Sequence, residues 1–555
     1  MSQGLLALPA LPVAAGAAVY LIYKRYEPSS PASALFLLCI VPAILIAGVR
    51  EHYSSLLAAS FGVYAIFWAT LAAFIVAYRL SPFHPLAGYP GPLLCRVSKG
   101  WLAYIVGRSG KTHLYIRDLH LRYGDVVRIG PNELSVTARE FTEAIGPKGL
   151  PKGPYYETRN HKAGTSLNAI RDSALHAVRR RPWARGMNSA SMKYYEELVR
   201  ETVGDLVDGL KQRKHQRVDF SEWMTYFGFD FMGHMAFTHD YGLLKNGFDQ
   251  DGLTPLVELA MRDVAWTSHV SWAVEYLKWV PNTNRYWPQI KALGVKTVKA
   301  RVARGSTHHD LFYHLMDEEG HEKIKPDPTL VAIDGQLAII AGGDTTATAL
   351  SQLFYFLLRH PEYLERLRKE VDEALPQGEG LRLDISKQAS MPFLNACINE
   401  ALRLYPPVLS SLQRRVEPGT GGYAIGTHFI PEQTQVSFHA YTIHRDAQYF
   451  SPLTDTFWPD RWLSQDAYLL PSGDTIAAAD VVTTREVFFP FSQGPTVCAG
   501  KTLALTEIRS VTCALLQTFD IKIADEAAFD AWEGVIEEMF TTRRSKLPVQ
   551  LTLRS

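Results

Sequence analysis

One stretch limits what this chain can fold into: FFPFSQGPTVCAGKTLALTEIRS, from Phe488 to Ser510. A single cysteine, Cys498, sits inside it, with Phe491 seven residues before, Gly494 four before and Gly500 two after. Apolar positions at Leu503, Leu505, Ile508 and Val511 mark a helix that begins straight after the cysteine. Gly494 and Gly500 permit a tight turn and close backbone approach. A helix starting just past Cys498 aims its N–H groups and the positive end of its dipole at the sulfur. Such surroundings favour thiolate over thiol. A thiolate held this way suits an axial ligand of haem iron, which pushes electron density onto the metal and promotes O–O cleavage. A buried free cysteine before a helix is the plainer reading of an isolated cysteine, but both glycines and Phe491 in register favour the ligand.

Composition removes other readings of the cysteine. The chain has five, Cys39, Cys95, Cys397, Cys498 and Cys513, an odd number with no C-x-x-C pair. That pattern indicates neither a disulfide framework nor a zinc site. The net charge of +1, without a basic block, argues against a nucleic-acid partner. At 555 residues the length prior allows several domains, although single large domains exceed it.

The first eighty residues are of a different kind. Leu5 to Tyr23, Pro31 to Val49 and Leu56 to Tyr78 are uncharged and apolar. Each is near the roughly 20 residues a membrane-spanning helix needs. Pro9, Pro12 and Pro42 interrupt the first two, which membrane helices tolerate. The first lacks the basic leading region of a cleaved signal, and the second also reads as a hairpin. Lys24, Arg25, Arg79, Arg96 and Lys99 flank the segments, so the positive-inside rule puts the rest of the chain on the cytoplasmic side. The stretch SPFHPLAGYPGPLL follows, with Pro82, Pro85, Pro90 and Pro92. Proline stiffens itself and the residue before it, so this reads as a spacer. The expected divisions are an anchor at 1–80 with up to three spans, a hinge at 81–99 and a globular domain at 100–555.

Within the globular part, Val126 to Ile129 and Leu134 to Val136 read as a short hairpin. Tyr155 to Ile170 reads as a loop, either lining a pocket or on the surface. His176 and Arg180 share a helical face at i and i+4, beside Arg179 and Arg181. Asp230 to Phe237 reads as a buried helix. Trp266, Trp272, Tyr276, Trp279 and Tyr286 suit a pocket roof, a membrane contact or plain core packing.

A long helix is expected from Asp327-Pro328, as N-cap and N1, to His360 before Pro361. At 1.5 Å per residue it is roughly 50 Å long. Its middle reads AGGDTTATA, Ala341 to Ala349. Gly342 and Gly343 each cost about 1 kcal/mol in a helix interior. Room for a flat cofactor, with local opening of the helix, is one reason for that cost. Asp344 and Thr345 would place an acid and a hydroxyl at the opening. Further on, Glu400 and Arg403 meet at i and i+3 among Ala396, Cys397, Ile398, Ala401, Leu402 and Leu404. Such a buried pair needs further partners.

Taken in order, these stretches resemble the cytochrome P450 family. The spacing F-x-x-G-x-x-x-C-x-G is similar to its haem-binding loop, although Thr496 stands where the family usually has Arg or His. A-G-G-D-T-T is similar to its oxygen-activation motif. Glu400 and Arg403 match its E-x-x-R pair, and Pro459, Asp460, Arg461 and Trp462 match its P-E-R-F/W segment with Asp for Glu. His444-Arg445-Asp446 fits its H-R-D turn. The H-P-L-x-x-Y-P-G-P hinge looks like that of fungal microsomal members.

The resemblance implies a mostly α fold with a small β region, the P450 fold, behind a transmembrane anchor. It implies haem (heme) with Cys498 as iron ligand, framed by Phe491, Gly494 and Gly500. His176, Arg180 and Arg414 would meet the haem propionates, with Arg415 the alternative to Arg414. Asp344 and Thr345 would be the oxygen-activating pair, and Glu400, Arg403 and Arg461 a structural network. Ala341, Val408, Leu412 and Phe540 would border substrate, Phe540 at a hairpin tip with Met539 and Thr541. The implied activity inserts one oxygen atom of O2 into a lipophilic small molecule of specialised metabolism. Electrons would come from NADPH–cytochrome P450 reductase, at the endoplasmic reticulum membrane, with the catalytic domain facing the cytosol. A haem-thiolate isomerase or peroxygenase, and a non-catalytic haem-binding membrane protein, are the alternatives. Asp344 and Thr345 argue against both.

Overall fold

The computed structural model describes residues 10–28, 30–161, 164–277, 279–280, 286–305, 308–376, 383–410 and 412–554, the side chains at 159–161 excepted. Two helices cross at its centre. Phe220–Phe237 is apolar almost all round and nearly every residue is buried, as expected of a helix with neighbours on all sides. Pro328–Arg359 is the long helix, started by Asp327, whose side chain accepts the Thr329 N–H. They cross at glycines. A Cβ on Gly228 would stand 2.3 Å from the Gly343 carbonyl oxygen, and one on Gly342 would stand 2.3 Å from the Met232 sulfur. The local opening expected at Gly342 and Gly343 is not seen. The long helix runs unbroken through them, and they make room for another helix.

Helices Ser189–Lys211, Pro392–Leu404 and Lys501–Thr518 complete the central packing. Beside them lies a four-stranded sheet in the order Val126–Gly130, Glu133–Val136, Gln435–Phe438, Arg414–Arg415. The expected hairpin is its first pair, and Glu133–Val136 runs parallel to Gln435–Phe438. The last strand carries Arg414 to the site. A second sheet pairs Phe519–Ile523, Pro548–Leu553 and Arg217–Asp219. Before its central strand, Glu537–Met539 and Thr541–Arg543 form a hairpin with Phe540 alone at the tip, at φ +69. The fold is mostly helical with small sheets, as expected.

Among the described residues, two N-terminal helices are long and apolar enough to cross a membrane, Pro31–His52 and Leu56–Leu80. Pro42 has no N–H to donate backwards, and the turn before it, Phe36–Ile40, widens to a π turn. Of the first apolar segment, residues 5–9 lie outside the described residues. The described part is helix Ala10–Tyr26, which packs against Leu56–Leu80 through Val19, Tyr20, Phe67 and Leu71. The proline-rich hinge is pinned at both ends. Arg79 donates to the Val97 carbonyl at 2.6 Å, and Arg128 N–H donates to the Pro90 carbonyl at 2.7 Å.

Candidate active site

The cysteine loop is built by its own backbone. Cys498 N–H donates to the Phe491 carbonyl at 2.9 Å, and Val497 N–H to that of Gly494 at 3.1 Å. Gly494 is at φ +63, and a Cβ there would stand 2.5 Å from the Ile145 carbonyl oxygen. Only glycine fits both demands. Gly500 caps helix Lys501–Thr518, whose N-terminus follows the sulfur as the sequence predicts. Burial pushes the Cys498 thiol up, while the Gly500 N–H, Arg180 and Lys501 pull it down.

Cys498 is surrounded by protein on nearly every side, yet its own surface is bare. Its exposed surface is open to a ligand. The long helix has a matching bare face. Ala341 is exposed although Ala338, Ile339 and Gly343 around it are buried, and Thr345 one turn on is half-buried. The two elements meet where the Glu507 carboxyl reaches Thr346, nine residues after the cysteine and one after Thr345. Val408 and Leu412 are also only half-buried, and Ser411 between them lies outside the described residues.

Basic groups gather beside the loop. Burial first, then Lys152, Arg180 and Arg414, hold the His176 imidazole down at about 4. Arg180 has no hydrogen-bond or ion-pair partner among the described residues, and its charge acts on Cys498. Arg414 Nη2 donates to Thr496 Oγ1 at 2.8 Å and Nη1 to the Gln413 carbonyl at 3.1 Å. Thr496 thus receives an arginine from another strand at the position where the family usually supplies a basic residue itself. Arg415 turns away, toward Glu27 at 3.9 Å. An acidic cofactor with a flat body fits this combination of an exposed cysteine and nearby basic groups, of which Arg180 has no hydrogen-bond or ion-pair partner among the described residues.

Behind the loop lies a closed charge network. Glu400 accepts from Arg403 at 2.8 and 2.9 Å, from Arg461 at 3.1 Å, from Trp458 N–H at 3.0 Å and from Trp462 Nε1 at 2.9 Å. Arg403 also donates to the carbonyls of His444, Thr454 and Thr456. Burial opposes ionisation of Glu400, but the two arginines overcome it and its carboxyl titrates below the usual range. Asp460 takes no part and pairs with Arg366 at 2.7 Å. His444 joins the network to the loop, because its Nε2 accepts the Phe489 N–H at 3.2 Å.

Thr345 Oγ1 donates to the Ala341 carbonyl at 2.6 Å. Asp344 is ion-paired to Arg544 at 2.9 Å. Sequence reading missed Arg544, Lys152 and Tyr156, whose hydroxyl acts on Arg414. None carries a local signal, since their partners are remote in the chain.

A helical body, a bare cysteine at a helix N-terminus and a cationic rim define a haem-thiolate protein. The family model for cytochrome P450 matches residues 90–536, and the chain belongs to the cytochrome P450 family. Curated relatives agree. The chain is 31% identical over 485 residues to cytochrome P450 monooxygenase FCK2 of Fusarium pseudograminearum, covering 87% of this chain and 84% of that one. It is 32% identical over 464 residues to cytochrome P450 monooxygenase nodW of Hypoxylon pulicicidum, covering 83% and 81%. It is 30% identical over 498 residues to tryprostatin B 6-hydroxylase of Aspergillus fumigatus, covering 88% and 84%. The family binds haem iron through a cysteine thiolate, and its monooxygenases use O2 and a redox partner on small molecules. This chain is a haem-binding oxidoreductase of that monooxygenase class.

Proposed function

We propose that this monooxygenase inserts one oxygen atom into a lipophilic small molecule of fungal specialised metabolism, drawing electrons from NADPH–cytochrome P450 reductase. The observations that carry the reading are the exposed Cys498 at a helix N-terminus, the exposed Ala341 and half-buried Thr345 on the long helix, and Arg180, which has no hydrogen-bond or ion-pair partner among the described residues. Relatives named as monooxygenases and as a tryprostatin hydroxylase support the substrate class. Residues 1–80 serve as the anchor and 81–99 as the hinge, with 100–555 on the cytosolic face of the endoplasmic reticulum. Lys24, Arg25 and Arg79 support that orientation.

Cys498 holds the iron, and Phe491, Gly494 and Gly500 shape its loop. His176, Arg180 and Arg414 hold the propionates, with Lys152 as a fourth base. When bound, haem supplies the metal at which dioxygen is activated. The chain's own part is to exclude bulk water and deliver protons. The Thr345 hydroxyl donates to Ala341, so toward the slot it can only accept, which suits holding a water that donates onward. Asp344, next to it, is the acid that relays protons from outside. Ala341, Val408, Leu412 and Phe540 form the apolar wall against substrate.

The test is co-expression with the reductase and a panel of terpenoid, alkaloid and polyketide scaffolds. NADPH-dependent product that disappears without reductase supports the proposal. Product formed without reductase would instead make the chain an isomerase or peroxygenase.

A further inference from the structure

We propose that Arg544 is the positioning residue for the Asp344 carboxylate, and that it makes the C-terminal hairpin part of the proton-delivery apparatus. The inference rests on the monooxygenase reading above. Arg544 Nη1 donates to Asp344 Oδ1 at 2.9 Å and to the Asp344 carbonyl at 3.1 Å, and it also meets Thr348 Oγ1. Its Nη2 donates to Thr225 Oγ1 at 2.7 Å. One guanidinium therefore grips the long helix at two successive turns and the Phe220–Phe237 helix beside it. Its rigid fork matches a carboxylate, so the grip fixes direction as well as distance.

The helix faces explain why this matters. Ala341 and Thr345 form the face open to the slot. Asp344 and Thr348 form the neighbouring face, turned to Arg544. Left alone, the Asp344 side chain would sample several rotamers beside Thr345. Arg544 selects one.

The same segment carries Phe540, the residue proposed to border substrate. Arg544 directly follows the hairpin whose tip is Phe540. A bulky residue at φ +69 is strained, and such strain clusters at functional sites. Arg543, its neighbour, points the other way and pairs with Glu258 on helix Leu253–Thr267 and with Glu537 at 3.1 Å. Two consecutive arginines thus brace the hairpin, outward to that helix and inward to Asp344. Movement at the tip is transmitted to the acid.

The experiment uses full-length, haem-loaded enzyme with reductase and a turned-over substrate. Arg544→Gln keeps hydrogen-bonding capacity but removes the charge. Haem content and substrate affinity should be unchanged, while product per NADPH falls about tenfold and peroxide rises, short of the roughly hundredfold that a full misplacement can cost. Arg544→Lys should recover most of that ratio. Thr225→Val, which removes one anchor and keeps the ion pair, should shift it in the same direction by less, and serves if Arg544→Gln fails to load haem. Independently of turnover, thermal unfolding of Arg544→Gln, Asp344→Asn and the double variant should be non-additive. Additive unfolding, or wild-type coupling in Arg544→Gln, overturns the inference. A wild-type enzyme that yields no product with reductase would overturn the monooxygenase reading instead, and the unfolding cycle would still judge the ion pair.

Discussion

Two buried regions of this molecule treat polar groups in opposite ways. Around Glu400, charge is closed on itself. Glu400, Arg403 and Arg461 have fully buried side chains, and five donors converge on one carboxylate. Around Cys498, polar and apolar atoms alike are bare, and Arg180 waits without a partner among the described residues. In the first region the carboxylate is fully partnered within the chain, although Arg461 Nη1 is left without a partner among the described residues. The second is completed by something the chain must bind. A closed network supplies stability and holds the loop through His444, whereas an open one supplies chemistry.

The largest effect should come from breaking the closed region. Glu400→Ala leaves two buried arginines facing each other, and an uncompensated buried charge costs about 3–5 kcal/mol. Against a typical stability of about 5–15 kcal/mol, little haem-loaded protein should survive. Haem content and thermal unfolding are the readouts. Normal haem with selectively lost turnover would mean the network is catalytic and the comparison false.

Cys498→Ser should show the reverse signature. The haem-free protein should unfold at nearly the wild-type temperature, because the bare sulfur supports little packing. Turnover should vanish, and the reduced carbonyl complex should lose its thiolate-type absorption band. A retained band would remove Cys498 as ligand.

A smaller effect is expected at Thr345. Thr345→Ala should keep haem and substrate binding and go on consuming NADPH, with product falling and peroxide rising. General acid–base contributions run at about 10²–10⁴-fold, and losing a water-holding hydroxyl should fall at or below the lower end. Product per NADPH measures it, and full coupling would leave Thr345 as a helix-carbonyl partner only.

The effect confined to a pH window compares two buried glutamates. Burial pushes the Glu538 carboxyl up to about 8, against the pull of the His113 N–H. Its neighbours are the Ser410 hydroxyl and the His113 ring, which burial, Lys111 and Arg445 hold down at about 3 and so uncharged. Glu538 is therefore neutral when folded but ionised when unfolded, so its contribution to stability falls as pH rises from about 4.3 to about 8 and is flat above. Glu400 tilts the other way. Its depressed value contributes stability above about 4.3, lost as pH falls through the folded value. Glu538→Gln should flatten the unfolding profile between about pH 4.3 and 8 only. An unchanged slope there would show that Glu538 is ionised in the fold.

Much of the closed region was legible because its signals are local. Glu400 and Arg403 are one helical turn apart amid apolar residues, and Arg461 follows in a recognisable segment. The cysteine loop was legible for the same reason, since two glycines and a helix start must stand at fixed offsets from the sulfur. Even the Asp460 departure was visible, though only the fold revealed that this residue faces Arg366 and leaves the network untouched.

By itself, then, the sequence determined the turn of the cysteine loop, the ends of the long helix, the E-x-x-R pair and the apolar N-terminal segments. Each depends on interactions within a few residues, and those are written in spacing. Tertiary structure alone decided the rest. Gly342 and Gly343 serve a helix crossing, which requires knowing that Gly228 and Met232 lie opposite. Arg414 and not Arg415 turns to the loop, because strand pairing with Gln435–Phe438 sets which face each one takes. Arg544 reaches Asp344 across 200 residues of chain. No periodicity or propensity spans such a distance, and only the folding of the hairpin back over the long helix brings the two charges together.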